Sequence, residues 1–475
     1  MIKLPEEIAH IIGSIEGAGY EAYAVGGCVR DSILGRDPGD WDLTSNASRD
    51  ILEALFPDAQ IVNKKLGVIR VSRGDITADV AAYRIDGEYK DYRRPETVIF
   101  TEDINEDLRR RDFTMNAIAV SPVRGVVDPY GGIEDIGRKL IRGIGEPRMR
   151  FEEDALRILR AVRFAAQLDF EIEEDTFRAM KEKAALLEHI STERIREEFT
   201  KTITAGSGGK GLELYIKAGL LPYILGEDCA NRISDEEMKR LAELAEAIHL
   251  TKPDPALRIA LFYQCFEEER ALCAIDNLGY SNEMKKLLRF AVSLFAEMEK
   301  IGDKVDLKRF LVKVGLAHYR YLTELAEQRS KVLRAREAES RSAAAEAGLR
   351  FREEGDLRPD QAGNMQHGKK GTLHSGNEGT LQSCSEGTLQ SCEEGLRRRA
   401  ALFKEIQDNG EPVFQKDLAV NGSDLIRLGI SEGEEIGRLL GFLLDTVHRF
   451  PEKNDKRLLL GMAAARLESD QTNMN

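Results

Sequence analysis

The chain has 475 residues, of which 42% are hydrophobic and 32% are charged, and its formal net charge is −14. It contains no apolar run near the ~20 residues that a membrane-spanning helix needs, and its first residues, MIKLPEEIAHII, lack the pattern of an export signal. The sequence therefore predicts a cytoplasmic protein of several domains, with no membrane as partner.

The six cysteines are scattered, without the spacing of a zinc site or of a redox pair. We interpret them as reduced thiols. The acidic balance argues against nonspecific binding of nucleic acid, which depends on neutralising phosphates. Between Arg138 and Arg163, however, eight Lys or Arg residues stand against four acidic ones. A basic stripe of this kind on an acidic protein is compatible with an RNA partner.

Residues 20–130 have the pattern of an α/β domain. Two helical stretches, EEIAHIIGSIEGAG and SRDILEALFP, flank the first strands, and Ser48 is the predicted N-cap of the second. Short apolar or β-branched segments separated by Gly, Pro and Asp are typical of strands. They are EAYAVGG, WDLTSN, AQIVN, LGVIRVSR, ITADVAAYR and ETVIFT.

From about residue 146 onward the pattern is helical, with no further convincing strand. We predict a head over 1–145, a helical neck over 146–225, a helical body over 226–335 and a helical tail over 396–475. Residues 336–395 are poor in large apolar residues and contain GTLHSGNE, GTLQSCSE and GTLQSCEE at a spacing of eight residues. Such short polar units cannot build a core, so we predict a disordered insertion there.

The stretch YAVGGCVRDSILGRDPGDWDL carries the clearest chemistry. Gly26 and Gly27 follow an apolar strand and precede a helical segment, so their backbone N–H groups can approach a polyphosphate that a Cβ would obstruct. Arg30 adds a forked cation. A glycine pair alone is usually only a turn, but this combination favours nucleotide binding.

Asp40 and Asp42 stand two residues apart. On a strand, alternate side chains share a face, so both carboxylates would project to one side and Trp41 to the other. Paired carboxylates suit Mg2+. A lone D-x-D is often just a solvated strand end, and it is the glycines and Arg30 nearby that favour a metal site. Asp79, on a later strand, is open as a third metal-site carboxylate or as an exposed strand residue.

This arrangement resembles the polymerase-beta-like nucleotidyltransferases, and specifically the tRNA nucleotidyltransferase and poly(A) polymerase family. Further blocks are similar to that family's motifs: RRDFTMNAIA at 110–119, RFEEDALRILRAVRFAAQL at 150–168, and ERIREEF at 193–199, to which we assign no role. KDLAVNGSDLIRLGISEGEEIGRLLGFLL in the tail resembles the C-terminal domain of the bacterial class II members. The resemblance implies an α/β polymerase-beta-like nucleotidyltransferase head followed by an all-helical neck, body and tail.

The resemblance also implies roles for particular residues. Asp40 and Asp42 would be catalytic and hold Mg2+, the expected cofactor. The nucleotide, CTP or ATP, would be bound by residues from three blocks, namely Gly27, Arg30, Arg111, Asp154, Arg157, Arg160 and Arg163.

The pair Asp154 and Arg157 could select bases by the direction of its hydrogen bonds. Cytosine and adenine both present an amino donor beside a ring-nitrogen acceptor, and uracil and guanine present the reverse. An ionised Asp only accepts and an Arg only donates, so the pair would accept C and A. On a helix covering 154–166 the two would be neighbours at i and i+3, where a surface ion pair is the simpler alternative.

The activity that the resemblance implies is addition of CCA to the 3′ end of tRNA. An A-adding enzyme or a poly(A) polymerase remains open, since the catalytic motifs are shared. In the family that this chain resembles, members that add only CC lack part of the loop between the first two motifs. The stretch DGEYKDYRRPETVIF retains that loop, including Asp91, Arg94 and Pro95, so the resemblance disfavours CC-only addition.

From other classes, an inactive RNA-binding scaffold is the non-enzyme alternative, although the intact D-x-D and glycine pair disfavour it. A small-molecule nucleotidyltransferase is disfavoured because it would not need the long helical body. A homodimer is left open.

Overall fold

The computed structural model describes residues 3–87, 97–230, 233–355, 381–430 and 433–472. Within these ranges no helix is long and apolar enough to cross a bilayer. The chain divides into two compact units. Unit 1 comprises Met1–His249, Pro253–Arg258 and Glu269–Ser281, and unit 2 comprises Leu250–Lys252, Ile259–Glu268 and Asn282–Asn475.

Unit 1 begins with a mixed domain of helices and short strands. In chain order these are α1 (Glu6–Gly17), β1 (Ala22–Val25), α2 (Gly27–Ile33), β2 (Trp41–Ser45), α3 (Arg49–Leu55), β3 (Gln60–Asn63), β4 (Val68–Arg73), β5 (Ile76–Ala82), β6 (Arg84–Asp86), β7 (Val98–Phe100), α4 (Ile104–Arg109), β8 (Ala119–Ser121), β9 (Gly125–Val127), α5 (Gly132–Gly137) and β10 (Leu140–Ile141).

The head is built on a seven-stranded mixed sheet with the order β3-β4-β5-β2-β1-β8-β9. β2 and β5 are parallel and the other neighbours antiparallel. Helix α1 packs on it through Ile8, Ile11, Ile12 and Ile15, which are fully buried at the spacing of one helical face. The parallel pairing brings Asp42 level with Asp79, so the register aligns carboxylates of two strands.

The rest of the chain is almost entirely helical within the described residues. In order it contains α6 (Pro147–Glu153), α7 (Leu156–Leu168), β11 (Glu171–Ile172), α8 (Glu174–Lys183), α9 (Thr192–Ile203), α10 (Gly208–Lys217), α11 (Leu221–Leu225), α12 (Glu227–Ala230), α13 (Asp235–Ala247), α14 (Pro255–Tyr263), α15 (Glu268–Asn277), α16 (Asn282–Ser293), α17 (Phe295–Glu299), α18 (Lys304–Val314), α19 (Leu316–Gly355), α20 (Leu381–Asp408), α21 (Gly422–Arg427), α22 (Glu434–Arg449) and α23 (Lys456–Thr472). In unit 1, α7 packs against α9 and α10.

The described part of unit 2 is helical, and its last segment has a hydrophobic core of its own. Leu425, Leu443, Val447 and Leu459 are completely buried in this core. Lys308 is also fully buried, which is tolerated because its ammonium lies 2.6 Å from the carboxylate of Glu411. The unit therefore combines an apolar cluster with a buried ion pair.

The predicted fold class is confirmed, and each predicted strand is present, but some elements differ. β8 and β9 complete the sheet although no strand was predicted there, and the two-residue β11, paired with β10, lies beyond residue 146. These strands are too short to show an alternating pattern.

Two predicted regions are only partly described. Helices α19 and α20 cover both ends of 336–395, where helix is favoured by alanine, arginine and glutamate in the first end and by leucine, glutamine and glutamate in the second. Residues 356–380 lie outside the described residues, so the disordered insertion stays a prediction, as do the domain boundaries. Asp91, Arg94 and Pro95 also lie outside the described residues.

Candidate active site

A cavity of about 650 Å³ opens in unit 1 beside the turn between β1 and α2. Its lining includes every residue that the sequence assigned to the site: Gly27, Arg30, Asp40, Asp42, Arg111, Asp154, Arg157, Arg160 and Arg163. Residues more than a hundred positions apart in the chain are thus gathered at one place.

Asp42 lies on β2 and Asp40 immediately precedes the strand, and the two carboxylates take the same side, as strand alternation predicts. Trp41 between them is 6% exposed, whereas both carboxylates face the cavity and keep contact with solvent. Enclosure by the cavity walls raises the pKa of Asp42. Arg111 opposes this shift, and Asp79 and Asp40 add to it. A cation at this point would relieve the repulsion between these carboxylates.

Asp79 is adjacent to this pair but already has a partner. It lies level with Asp42 in the sheet, and both of its oxygens accept hydrogen bonds from Arg70, at 2.7 and 2.9 Å. Among the described residues no group of three or more acidic, histidine or cysteine side chains is arranged to hold a metal ion. Two solvent-accessible carboxylates still fit Mg2+, which usually takes one or two from the protein and completes its shell with water and phosphate.

The turn between β1 and α2 is shaped by Gly26. Its φ is +86°, a conformation that residues with a side chain rarely adopt. A Cβ at this position would lie 3.0 Å from Nη1 of Arg111. Glycine therefore allows the Arg111 side chain to lie directly against the backbone of the turn, at the edge of the cavity.

Arg30, on α2, is held firmly in the cavity wall. Its Nε and Nη2 donate to the two oxygens of Asp31, each at 2.9 Å, and its Nη1 donates to Asn116 at 2.8 Å. The residue is 8% exposed. These bonds use three of the five N–H groups of a guanidinium, so two remain for an anion.

Asp107 organises the arginines of the next block and was not predicted as a site residue. It is fully buried, accepts from Nη2 of Arg110 at 2.8 Å and from Nη2 of Arg111 at 3.3 Å, and receives the hydroxyl of Thr44 at 3.4 Å. Burial alone would raise the pKa of Asp107, but the two guanidiniums outweigh it and hold the pKa below its usual range. Asp107 thereby fixes Arg111 close to Asp42.

Asp112 and Arg160 form a second buried pair. Nε and Nη2 of Arg160 lie 2.9 and 2.5 Å from one oxygen of Asp112, and the amide of Asn116 donates to the other at 2.9 Å. Burial opposes ionisation, yet Arg160 and Asn116 keep the pKa of Asp112 well below its usual range. The asparagine thus links Arg30 to the Asp112 pair.

The expectation that Asp154 and Arg157 lie on one helix is wrong. Asp154 has an extended backbone at the break between α6 and α7, and α7 begins only at Leu156. The described hydrogen bonds and ion pairs do not join the two side chains. Burial raises the pKa of Asp154 against the opposing charges of Arg194 and Arg157. The simpler alternative, an ion pair on one helix face, does not describe this geometry.

Arg157 is 7% exposed and anchored to the protein backbone. It donates to the carbonyl oxygens of Arg150 and Arg110, at 3.1 and 2.8 Å, and to Glu153 at 2.7 Å. Three of its five N–H groups are thus used, and the guanidinium is fixed at the cavity wall.

Arg194 is a candidate residue that the sequence analysis left without a role. It belongs to ERIREEF, lines the cavity, and places Nη2 3.5 Å from Asp154. Its Nη1 is buried without a described hydrogen-bond partner. The ERIREEF motif indicated that this helix matters, but the sequence of a charged helix does not show which of its arginines faces the cavity.

Comparison with known proteins agrees with this geometry. Residues 22–142 match the family model of the poly(A) polymerase head domain, and residues 169–243 match the model described as a probable RNA and SrmB binding site of polymerase A. The match therefore assigns the domain that carries the mixed sheet to the poly(A) polymerase head domains.

The relatives narrow this class. The chain is 44% identical over 214 residues to a CCA-adding enzyme of Geobacillus sp., covering 45% of this chain and 53% of the relative, so it spans about half the length of that relative. It is 34% identical over 290 residues to the CCA-adding enzyme of Streptococcus mutans, covering 61% of this chain and 71% of the relative. The solved Bacillus stearothermophilus CCA-adding enzyme in complex with CTP is similar over 98% of both chains, with 27% identity and a TM-score of 0.67. The chain belongs to the family of the CCA-adding enzymes.

Proposed function

We propose that this protein adds C, C and A to the 3′ end of tRNA from CTP and ATP, without a nucleic-acid template, in the cytoplasm. The observation that carries the proposal is the single cavity that joins Asp40 and Asp42 to the arginine-rich wall and to the Asp154–Arg157 pair. Two comparisons support the proposal: the similar relatives are CCA-adding enzymes, and one of them was solved in complex with CTP.

In the proposed reaction, the terminal 3′ oxygen of tRNA attacks the α-phosphorus of the nucleotide and pyrophosphate leaves on the opposite side. Asp40 and Asp42 would hold divalent ions, with Mg2+ the candidate. When bound, these ions activate the hydroxyl and neutralise the leaving group. Asp31 and Asp107 hold the guanidiniums of Arg30 and Arg111 in place, and the N–H groups that these bonds leave free bind the phosphates. The chain thus acts by position and charge.

Base choice falls to Asp154 and Arg157. An ionised Asp154 accepts from the amino group of cytosine or adenine, and Arg157 donates to the ring nitrogen through an N–H group that its backbone anchors leave over. Arg160 and Arg163 complete the nucleotide contacts. The same two groups would serve both bases, so no nucleic-acid template is needed.

The first test separates an enzyme from an inactive RNA-binding scaffold. Incorporation of CTP and ATP into tRNA is measured with Mg2+ and with EDTA, for the wild type and for Asp40→Ala and Asp42→Asn. We expect incorporation of both nucleotides with Mg2+ and none with EDTA or in either variant. Because enclosure already disfavours the charge of Asp42, Asp42→Asn should melt at or above the wild-type temperature in EDTA.

Two outcomes would count against the proposal. Wild-type protein that binds tRNA without incorporating nucleotide would favour the scaffold. Near-normal turnover of either variant would remove the two carboxylates from the chemistry.

A further inference from the structure

Phe164, on α7, lies where the arginines of the cavity converge. The guanidinium carbons of Arg163, Arg30 and Arg160 are 4.4, 5.0 and 5.2 Å from the centre of its ring. A cation within ~6 Å of an aromatic face is attracted by the negative potential of that face. Phe164 is 6% exposed and is itself part of the cavity lining. One ring therefore contacts three cations that the proposed function assigns to the nucleotide.

Each of these cations also has an acidic partner, and the partners come from different parts of the sequence. The closest approaches are 2.8 Å for Arg30–Asp31, 2.5 Å for Arg160–Asp112 and 3.2 Å for Arg163–Glu198. Phe113, next to Asp112, touches the ring edge-on with centroids 6.0 Å apart. The four motif blocks found in the sequence thus meet at Phe164.

The arrangement has a simple electrostatic purpose. Three guanidiniums within about 6 Å of one ring repel each other, and the attraction of the ring face for each cation offsets part of that repulsion. A ring face attracts a cation without using its N–H groups, which lie in the plane of the guanidinium. Stacking on Phe164 can therefore hold the cations together while donors remain for an anion.

We propose that Phe164 is a positioning residue that holds Arg30, Arg160 and Arg163 as one unit for the triphosphate. The inference rests on the proposed function and deepens it. The triphosphate is common to CTP and ATP, so loss of the ring's attraction weakens both nucleotides equally. This differs from Asp154, whose loss changes which base is accepted.

The test changes the charge of the ring face while nearly preserving its shape. Phenylalanines with one, two and three fluorine atoms replace Phe164, and binding of CTP and ATP is measured by calorimetry without tRNA, so that no chemistry occurs. We expect both dissociation constants to rise stepwise, by about tenfold for the trifluorinated ring. The melting temperature and kcat at saturating nucleotide should change little.

Controls separate this role from packing. Phe170 is 2% exposed, and within the described residues no cation is placed over its ring, so the same series there should leave nucleotide binding unchanged. Phe164→Tyr should keep the wild-type KM, and Phe164→Leu should raise it for both nucleotides.

A flat series at Phe164 in a protein whose wild type binds nucleotide would overturn the positioning role, as would an effect on one nucleotide alone. A wild type that binds neither nucleotide would instead overturn the proposed function.

Discussion

Asp107 shows how a residue remote from the reaction can set the geometry of the site. Its carboxylate has no exposure to solvent and joins Arg110 and Arg111 to β2 through Thr44. Removing one partner of a buried ion pair leaves the other charge uncompensated, which costs about 3–5 kcal/mol. The Arg111 guanidinium that approaches Asp42 therefore depends on an acid that never needs to touch the nucleotide.

We predict that Asp107→Asn lowers the free energy of unfolding of the head by about 3 kcal/mol at pH 7. Because the folded pKa of Asp107 lies below its unfolded value, the ionised group stabilises the fold above about pH 4, and this stabilisation is lost as the pH falls through the folded pKa. The difference between wild type and variant should therefore shrink in acid. Urea unfolding followed by Trp41, the chain's single tryptophan, reports on the head directly. A difference that is constant with pH would argue against this account.

Asp154 is the residue on which base selection depends in the proposed function. Its carboxylate accepts from the backbone N–H of Leu156 at 3.1 Å, and its other oxygen lies 3.5 Å from Arg194. These contacts orient it without saturating it. We predict that Asp154→Ala reduces discrimination against UTP and GTP by about one to two decades, since leaving a hydrogen-bonding group unpaired costs ~1 to 3 kcal/mol.

The measurement is misincorporation of each of the four nucleotides on tRNA ending at the discriminator base and on tRNA ending at CC. Selectivity that is unchanged, or lost for one base alone, would mean that the bases are recognised elsewhere.

At the scale of elements, the turn from β1 to α2 joins backbone conformation to the cation beside it. Gly26 has φ +86°, and a Cβ there would press on Arg111 at 3.0 Å. Gly19 has φ +91° but nothing within 4 Å of an added Cβ. The two glycines therefore separate the cost of an unfavourable φ from the cost of the contact.

We predict that Gly26→Ala and Gly19→Ala each destabilise the protein by about 1–3 kcal/mol. Gly26→Ala alone should raise KM for both nucleotides, because it displaces Arg111. Thermal unfolding and steady-state kinetics of the two variants check this. Equal KM values in both variants would show that the turn between β1 and α2 does not contribute to nucleotide binding.

The elements also show what the sequence could and could not predict. Strand alternation was sufficient to predict that the Asp40 and Asp42 carboxylates project to the same side, because alternate residues of a strand share a face. The break at Asp154 was missed, since neither proline nor glycine interrupts the helical pattern there. Arg194 and Asp107 were missed for another reason. Charged residues on short helices look solvated until tertiary packing places them.

At the scale of the whole molecule, net charge is a poor guide to the site. The chain carries −14, yet the cavity wall gathers arginines from four distant stretches, including Arg30, Arg111 and Arg160. Some of their acidic partners are local in sequence, such as Asp31, and others come from a distant stretch, such as Asp112, and both kinds hold the arginines in position. A local cationic surface on an acidic protein can bind an anion selectively, because a cavity focuses the field of the groups that line it.

The most direct test of the proposed function uses three tRNAs, ending at the discriminator base, at C and at CC, each offered CTP and ATP. Product lengths are read after incubation with the purified protein and Mg2+. We expect additions of three, two and one nucleotides respectively, each series stopping at the same final A. Products that stop at CC, extension of the CC-ending tRNA alone, or a continuing tail of A residues would contradict CCA addition.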